Sequence, residues 1–186
     1  MTKQFSILLC FIFSSILFSQ NHTDAIIINS ENDTIRSKIK IYGNLFNSAN
    51  VDIRSFYDTV ILLDDNLKVK QKIKSKNIKE LIFNDNLGQT LSFVNNKGSL
   101  EQVLFKGKKI KWLRSFTRNM YDGSLSSNDY IITENNEIVK LGGLGSRRKT
   151  RLKEVTKLKP ELAAKIDNLE TYNVAAVKEL LSQYEE

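Results

Sequence analysis

The chain is expected to be a β-rich α+β protein, an antiparallel barrel or sandwich of short strands closed by a C-terminal helical segment. Three observations predict this. Short apolar or alternating runs recur from Ala25 to about Leu141, and Gly, Asn and Asp clusters separate them. After Gly142-Gly143-Leu144-Gly145 the apolar period changes from two to helical. The whole chain carries one Cys, one His and one Pro, so neither a disulfide framework nor a Cys/His metal site is available to hold a different kind of fold.

Residues 1–19 read as a secretory signal peptide. Lys3 is a thin positive start, Phe5–Phe18 is an apolar core broken only by serines, and small Ser19 precedes Gln20. The competing reading is an uncleaved anchor, but a span needs about 20 apolar residues and this core offers roughly 14. Lipid attachment does not fit, because Cys10 lies mid-core after Leu8 and Leu9 instead of at the end of it. Cleavage would remove Cys10 together with Phe5, Phe11, Phe13 and Phe18. It would also lower the +7 charge by one through loss of Lys3. The exported chain then has no cysteine staple and must be stable by packing alone.

In the strand region, Ala25–Ile28 followed by turn residues Asn29–Asp33 and the alternating Thr34–Tyr42 predicts a hairpin. Gly43–Ser55 reads as a polar, irregular loop. Thr59–Leu63, Asp64-Asp65-Asn66 and Leu67–Ile73 form a second hairpin, and Ile78–Phe83 a further strand. Thr90–Val94, Gln102–Phe105, Ile110–Thr117, Tyr130–Thr133 and Glu137–Leu141 complete the set, with Tyr121–Asn128 read as a turn. Together they make one β-rich domain over residues 24–141. Helices over 147–185 are expected to pack on its sheet. Ser146 is placed to cap the first, Pro160 to open the second, and Asn173 to cap a third that carries Val174, Val177, Leu180, Leu181 and Tyr184.

The order of short strand, Asn29–Asp33 turn, Thr34-Ile35-Arg36-Ser37-Lys38-Ile39, long loop, Val60–Leu63, Asp64–Asn66 turn, Val69–Ile73 and Asn77-Ile78-Lys79-Glu80-Leu81-Ile82 resembles small SH3-like barrels. It is similar also to a group of exported bacterial proteins of the flavobacterial kind, in which an Asp-Thr-Ile strand opens the barrel. Ser37 stands where such barrels usually carry Gly, and the Gly43–Ser55 insertion is long. The resemblance covers about a third of the chain and implies a fold without an activity. Asp33-Thr34-Ile35 and Asp58-Thr59-Val60 also look like the glycan acceptor triplets of exported proteins in such hosts, although Thr is favoured beside strands in any case.

Chemistry is scarce. His22 is the only imidazole and sits at the expected frayed start of the exported chain, where no third group would hold it as a catalytic base. Asp64-Asp65-Asn66, Asp85-Asn86-Leu87-Gly88 and Asp122-Gly123 match turn preferences, which accounts for their carboxylates without a site. Asn84–Gly88 lacks the ordered ligands and distal Glu of a calcium loop, and no phosphate-binding fingerprint can be written through Gly142–Thr150.

The sharpest pattern is Lys68, Lys70, Lys72, Lys74 and Lys76. On an extended strand these alternate positions share one face while Val69 and Ile73 point to the core. Such lysines either guard an exposed sheet edge against pairing with another chain or line an anion-binding face. In the second case Lys106, Lys108, Lys109, Lys111 and Arg114 near Trp112 would assist. The expectation is an exported, non-enzymatic envelope or secreted binding module. Its partner would be an anionic envelope polymer or lipid head groups. The alternative is an exported hydrolase using Asp/Glu general acid–base catalysis. Nucleic acid is not expected to meet an exported chain, no membrane span is expected after processing, and neither a metal nor a cofactor is called for.

Overall fold

The computed structural model describes residues 22–44, 47–85, 87–142, 145–170 and 173–186. The leader at 1–19 and the centre of the Gly142–Gly145 run therefore lie outside the described residues. The chain is strand-rich and antiparallel, with helices in its last third, as the alternation of short runs predicts. It divides into two compact units, one ending at Thr90 and one running from Leu91 to Glu186.

The first unit contains β1 (His22–Asn29), β2 (Thr34–Lys40), β3 (Tyr42–Asn44), β4 (Asn47–Asp52), β5 (Thr59–Leu63), β6 (Val69–Lys74) and β7 (Ile78–Asn84). Its main sheet has the order β7-β1-β2-β5-β6, all pairs antiparallel. Side-chain acceptors close the turns. Asn29 Oδ1 takes the amides of Glu31 at 2.9 Å and Asp33 at 2.8 Å, and Asp64 Oδ1 takes those of Asn66 and Lys68, each at 2.9 Å. These two turns set the β1–β2 and β5–β6 hairpins. Ile27, Ile39, Val60, Leu62, Ile78, Leu81 and Phe83 are buried. Phe56 meets Phe83 edge-on, with ring centroids 5.7 Å apart.

Three sequence expectations change here. Gly43–Ser55 is not wholly irregular: β3 and β4 pair antiparallel, and Ile53–Ser55 forms a 3-10 turn capped by Asp52, whose carboxylate accepts from Arg54 N. His22 is exposed but not frayed, being in register with Lys40 at the start of β1. Val69 is 56% exposed and does not point into the core.

The second unit holds all but the first residue of β8 (Thr90–Asn96), then β9 (Ser99–Lys106), β10 (Ile110–Arg118), β11 (Leu125–Thr133) and β12 (Ile138–Lys140), in the sheet order β12-β11-β10-β9-β8. Strand β11 starts earlier than its polar sequence suggests. Ser126, Ser127 and Asn128 are in register with Thr117, Phe116 and Ser115, so a ladder partner overrides weak local propensity.

Three helices follow, α1 (Gly145–Val155), α2 (Glu161–Asp167) and α3 (Val174–Glu185). Helix α1 begins one residue before Ser146, which therefore lies within its first turn. Pro160 is the N-cap residue of α2. Asn173 caps α3 as its sequence position predicts, its side chain accepting from Ala176 N at 2.8 Å, a contribution of about 1 kcal/mol. The helices bury Leu152, Val155, Leu162, Ile166, Val177, Leu180, Leu181 and Tyr184 against Leu104, Ile110, Trp112, Ile131 and Leu141 of the sheet. Among the described residues no helix is long and apolar enough to cross a membrane.

This core makes the helices of the second unit integral to its sheet. Leu181→Ala should destabilise residues 91–186 by about 3 kcal/mol, from lost burial plus an incompletely collapsed cavity. Urea unfolding monitored by Trp112 fluorescence checks it, and a shift below about 0.5 kcal/mol, the range of an inconsequential surface change, would contradict it.

Candidate functional site

The lysine series does not form one continuous ladder. Lys68 lies in the turn before β6, with its amide on Asp64, and Lys76 lies in the 3-10 turn Ser75–Asn77 after it. Leu62 is opposite Gln71 and Leu63 opposite Val69, so Lys70 is the extra residue of a bulge. Lys72 and Lys74 remain in regular register, opposite Ile61 and Thr59. All five lysines are exposed, and β6 is the terminal strand of the order in its unit.

Register adds cations that the β6 pattern alone does not contain. Residues directly opposite one another on antiparallel strands project to the same face. Lys38 is opposite Leu63, and Leu63, Ile61 and Thr59 alternate along β5 on the face that carries Lys72 and Lys74. Arg36, Lys38 and Lys40 of β2 therefore share that face, two strands away from β6, or about 10 Å. Ile39, Leu62 and Ile73 occupy the opposite face, where Ile39 and Leu62 are fully buried. One side of the sheet thus collects Arg36, Lys38, Lys40, Lys72 and Lys74.

Acids share this face: Asp24 on β1 and, through the β1–β7 register that sets it opposite Ile28, Glu80 on β7. Asp24, opposite Lys38 on β1, pairs with it at 3.0 Å. That exposed pair is worth at most about 1 kcal/mol but cancels one charge. The Lys40 ammonium lies 5.2 Å from the centroid of the Tyr42 ring. An open groove of about 500 Å³ runs over the face. Ile26, Ile82, Arg36, Lys38 and Asn84 are among its lining residues, as are the two acids Asp24 and Asp65. An apolar strip with cations beside it can hold a chain-like anion against the sheet.

The second basic series is arranged differently. Trp112 is fully buried in the core beneath the helices and so is unavailable as a stacking surface for a ligand, contrary to the sequence expectation. Arg114 makes two bonds to Asp129, at 2.6 and 3.0 Å, and that carboxylate pushes the guanidinium pKa up. Lys109 reaches the Tyr184 carbonyl at 3.4 Å.

Several of the carboxylates that the sequence offers for acid–base work are engaged in structure. Asp85 accepts from the amides of Leu87 and Gln89 at 2.9 and 2.8 Å. Asp122 accepts from Ser124 at 2.9 Å, which holds its carboxyl below the usual range. Asp52 is likewise lowered, chiefly by its side-chain bonds to Arg54. Among the described residues no group of three or more His, Cys, Asp and Glu is arranged to hold a metal ion. Thr34 and Thr59, from the two acceptor-like triplets, are the first residues of β2 and β5.

One buried polar cluster was not legible from sequence. Glu101 on β9 is only 7% exposed, accepts from Asn96 Nδ2 at 3.0 Å and receives the Tyr130 hydroxyl across β10. Tyr130 Oη in turn accepts from Asn96 Nδ2 at 2.8 Å. Desolvation first, and the adjoining Glu101 second, push the Tyr130 pKa far above its ordinary value of 10.0. A phenol held neutral as donor to a buried carboxylate is a structural clamp. No protein-family model, curated protein or solved structure matches the chain.

The clamp has a definite pH signature. Tyr130 has a folded pKa above its unfolded value, so its contribution is complete below about pH 10 and is lost as pH rises towards the folded value. Unfolding free energy should therefore begin to fall above about pH 10 and keep falling as pH rises towards the folded value, and should fall less in Tyr130→Phe. At neutral pH that variant should lose about 1–3 kcal/mol, because a buried carboxylate keeps only Asn96 of its two donors. Equal alkaline slopes in both proteins would contradict the clamp.

Proposed function

We propose that the protein is an exported, non-enzymatic binding module. Its basic sheet face, Arg36, Lys38, Lys40, Lys72 and Lys74, holds an anionic polymer of the cell envelope. The observation that carries this reading is the register that brings the cations of β2 and β6 to one face across β5. Export rests on the Phe5–Phe18 segment and its Ser19-Gln20 boundary. A repeating anion suits the surface because its cations are spread over two strands about 10 Å apart and are not focused on one point. The hydrolase alternative has less support, since the carboxylates described above serve as turn acceptors, ion-pair partners and a buried clamp.

A second reading follows from the bulge at Lys70. A terminal strand that carries lysines and a bulge has two of the devices by which sheet edges resist pairing with another chain. The two strands distinguish the readings, because only β6 is an edge. Arg36→Gln with Lys40→Gln on β2 leaves edge protection intact and removes two charges from the face.

Under the binding proposal, that double variant should bind a polyphosphate or polyuronate resin about tenfold more weakly at low salt. That is the loss expected from two surface contacts of under about 1 kcal/mol each. Lys72→Gln with Lys74→Gln should weaken binding similarly, and added salt should abolish the differences. If both double variants elute with wild type while the β6 variant self-associates, the lysines guard the edge and the binding proposal fails. Retention on anionic vesicles but not on the polymers would likewise overturn the polymer assignment.

A further inference from the structure

The turn between β9 and β10 is built around a carboxylate that neither strand supplies. Gly107 N–H closes the turn by donating to the Ile110 carbonyl at 2.8 Å. The next three amides, of Lys108, Lys109 and Ile110, all donate to the Glu185 carboxylate on the last turn of α3, at 2.7, 3.0 and 2.9 Å. Consecutive backbone N–H groups converging on one point make an anion-binding concavity, and bonds to an ionised acceptor are the stronger class. Gly107 leaves the way open: a Cβ there would lie 2.2 Å from Glu185 Cδ. The Lys109 ammonium stands 5.4 Å from the centroid of the Tyr184 ring, beside the same helix end.

We propose that the β9–β10 turn is an oxyanion-binding site for a small phosphate-type group and that Glu185 is its resident, displaceable occupant. Four lysines, Lys106, Lys108, Lys109 and Lys111, belong to the turn or its flanks. The neighbouring opening of about 110 Å³ limits what can enter, because Glu134, Glu137 and Glu154 are among its lining residues, with Lys109 and Tyr184. Those acids disfavour every anion and an extended one most, and the size of the opening leaves room only for a small ion. Glu185 competes from within the chain at an effective concentration of about millimolar or above, so an outside oxyanion binds wild type weakly. Binding the ion and releasing the end of α3 are one linked equilibrium, and each opposes the other's reverse. None of this depends on the basic face of the first unit.

The test follows the amide resonances of Lys108, Lys109 and Ile110 during titration with inorganic phosphate, against chloride at matched ionic strength. In Glu185→Ala these three amides should shift saturably with phosphate and not with chloride. Affinity should be at least about tenfold above wild type, the measure of the removed internal competitor. Glu185→Gln keeps an acceptor oxygen in place and should also fold. It should bind phosphate more tightly than wild type and less tightly than Glu185→Ala. Should Glu185→Ala fail to fold, the Gln variant alone decides the matter by the same comparison with wild type. Equal phosphate affinity in wild type and variant, or shifts confined to amides outside 107–111, would overturn the proposal.

Discussion

Strand β2 is hydrogen-bonded on both sides, and its register with β1 and β5 decides which of its side chains meet the core and which meet water. Its alternation leaves no neutral alternative. A one-residue slip would turn Arg36, Lys38 and Lys40 inward and expose Ile35 and Ile39. Burying three unpartnered cations would cost several kcal/mol each, together comparable to the 5–15 kcal/mol by which a domain is typically stable. Asn29 and Asp64 pin the flanking hairpins by collecting two amides each, so that the favourable register is also the local one. The segregation of charge to one face is thus a consequence of folding, and the proposed binding surface depends on it.

The acids and the bases of the protein are used differently. Asp52, Asp64, Asp85, Asp122 and Glu185 are spent on backbone amides, Asp129 on a guanidinium, and Glu101 on a phenol. Lys68, Lys70, Lys72, Lys74 and Lys76 stay on the surface around one strand. Bonds to amides leave these carboxylates charged, so the basic face is distinguished by where its cations lie: Arg36, Lys40, Lys72 and Lys74 share one side of the sheet.

Local chemistry made much of the architecture legible in the sequence. The Asx turns at Asn29, Asp64 and Asp85, the alternation of β2 and the Asn173 cap each involve residues within a few positions of one another. What depended on a strand partner and not on local composition was not legible. Strand β11 extends back through Ser126–Asn128 only because β10 is there to pair with it, and β3–β4 forms inside a segment whose composition reads as loop. The lysine pattern shows the same limit. Parity alone suggested five aligned cations, whereas the bulge at Lys70 and the 3-10 turn at Ser75 shorten the series, and the β2 cations join its face only through β5. Glu101 with Tyr130, and Glu185 with the β9–β10 turn, join residues far apart in the chain, beyond the reach of motif or period.

The central claim is that strand register concentrates positive potential on one face of the first unit's sheet. The most direct test compares paramagnetic relaxation of backbone amides by an anionic and by a neutral soluble probe of the same size. The account predicts that the anionic probe is enriched over Arg36, Lys38, Lys40, Lys72 and Lys74 and over Ile61 between them, and that this enrichment collapses as salt is added. The same ratio of anionic to neutral relaxation at these residues as across the rest of the surface would contradict it.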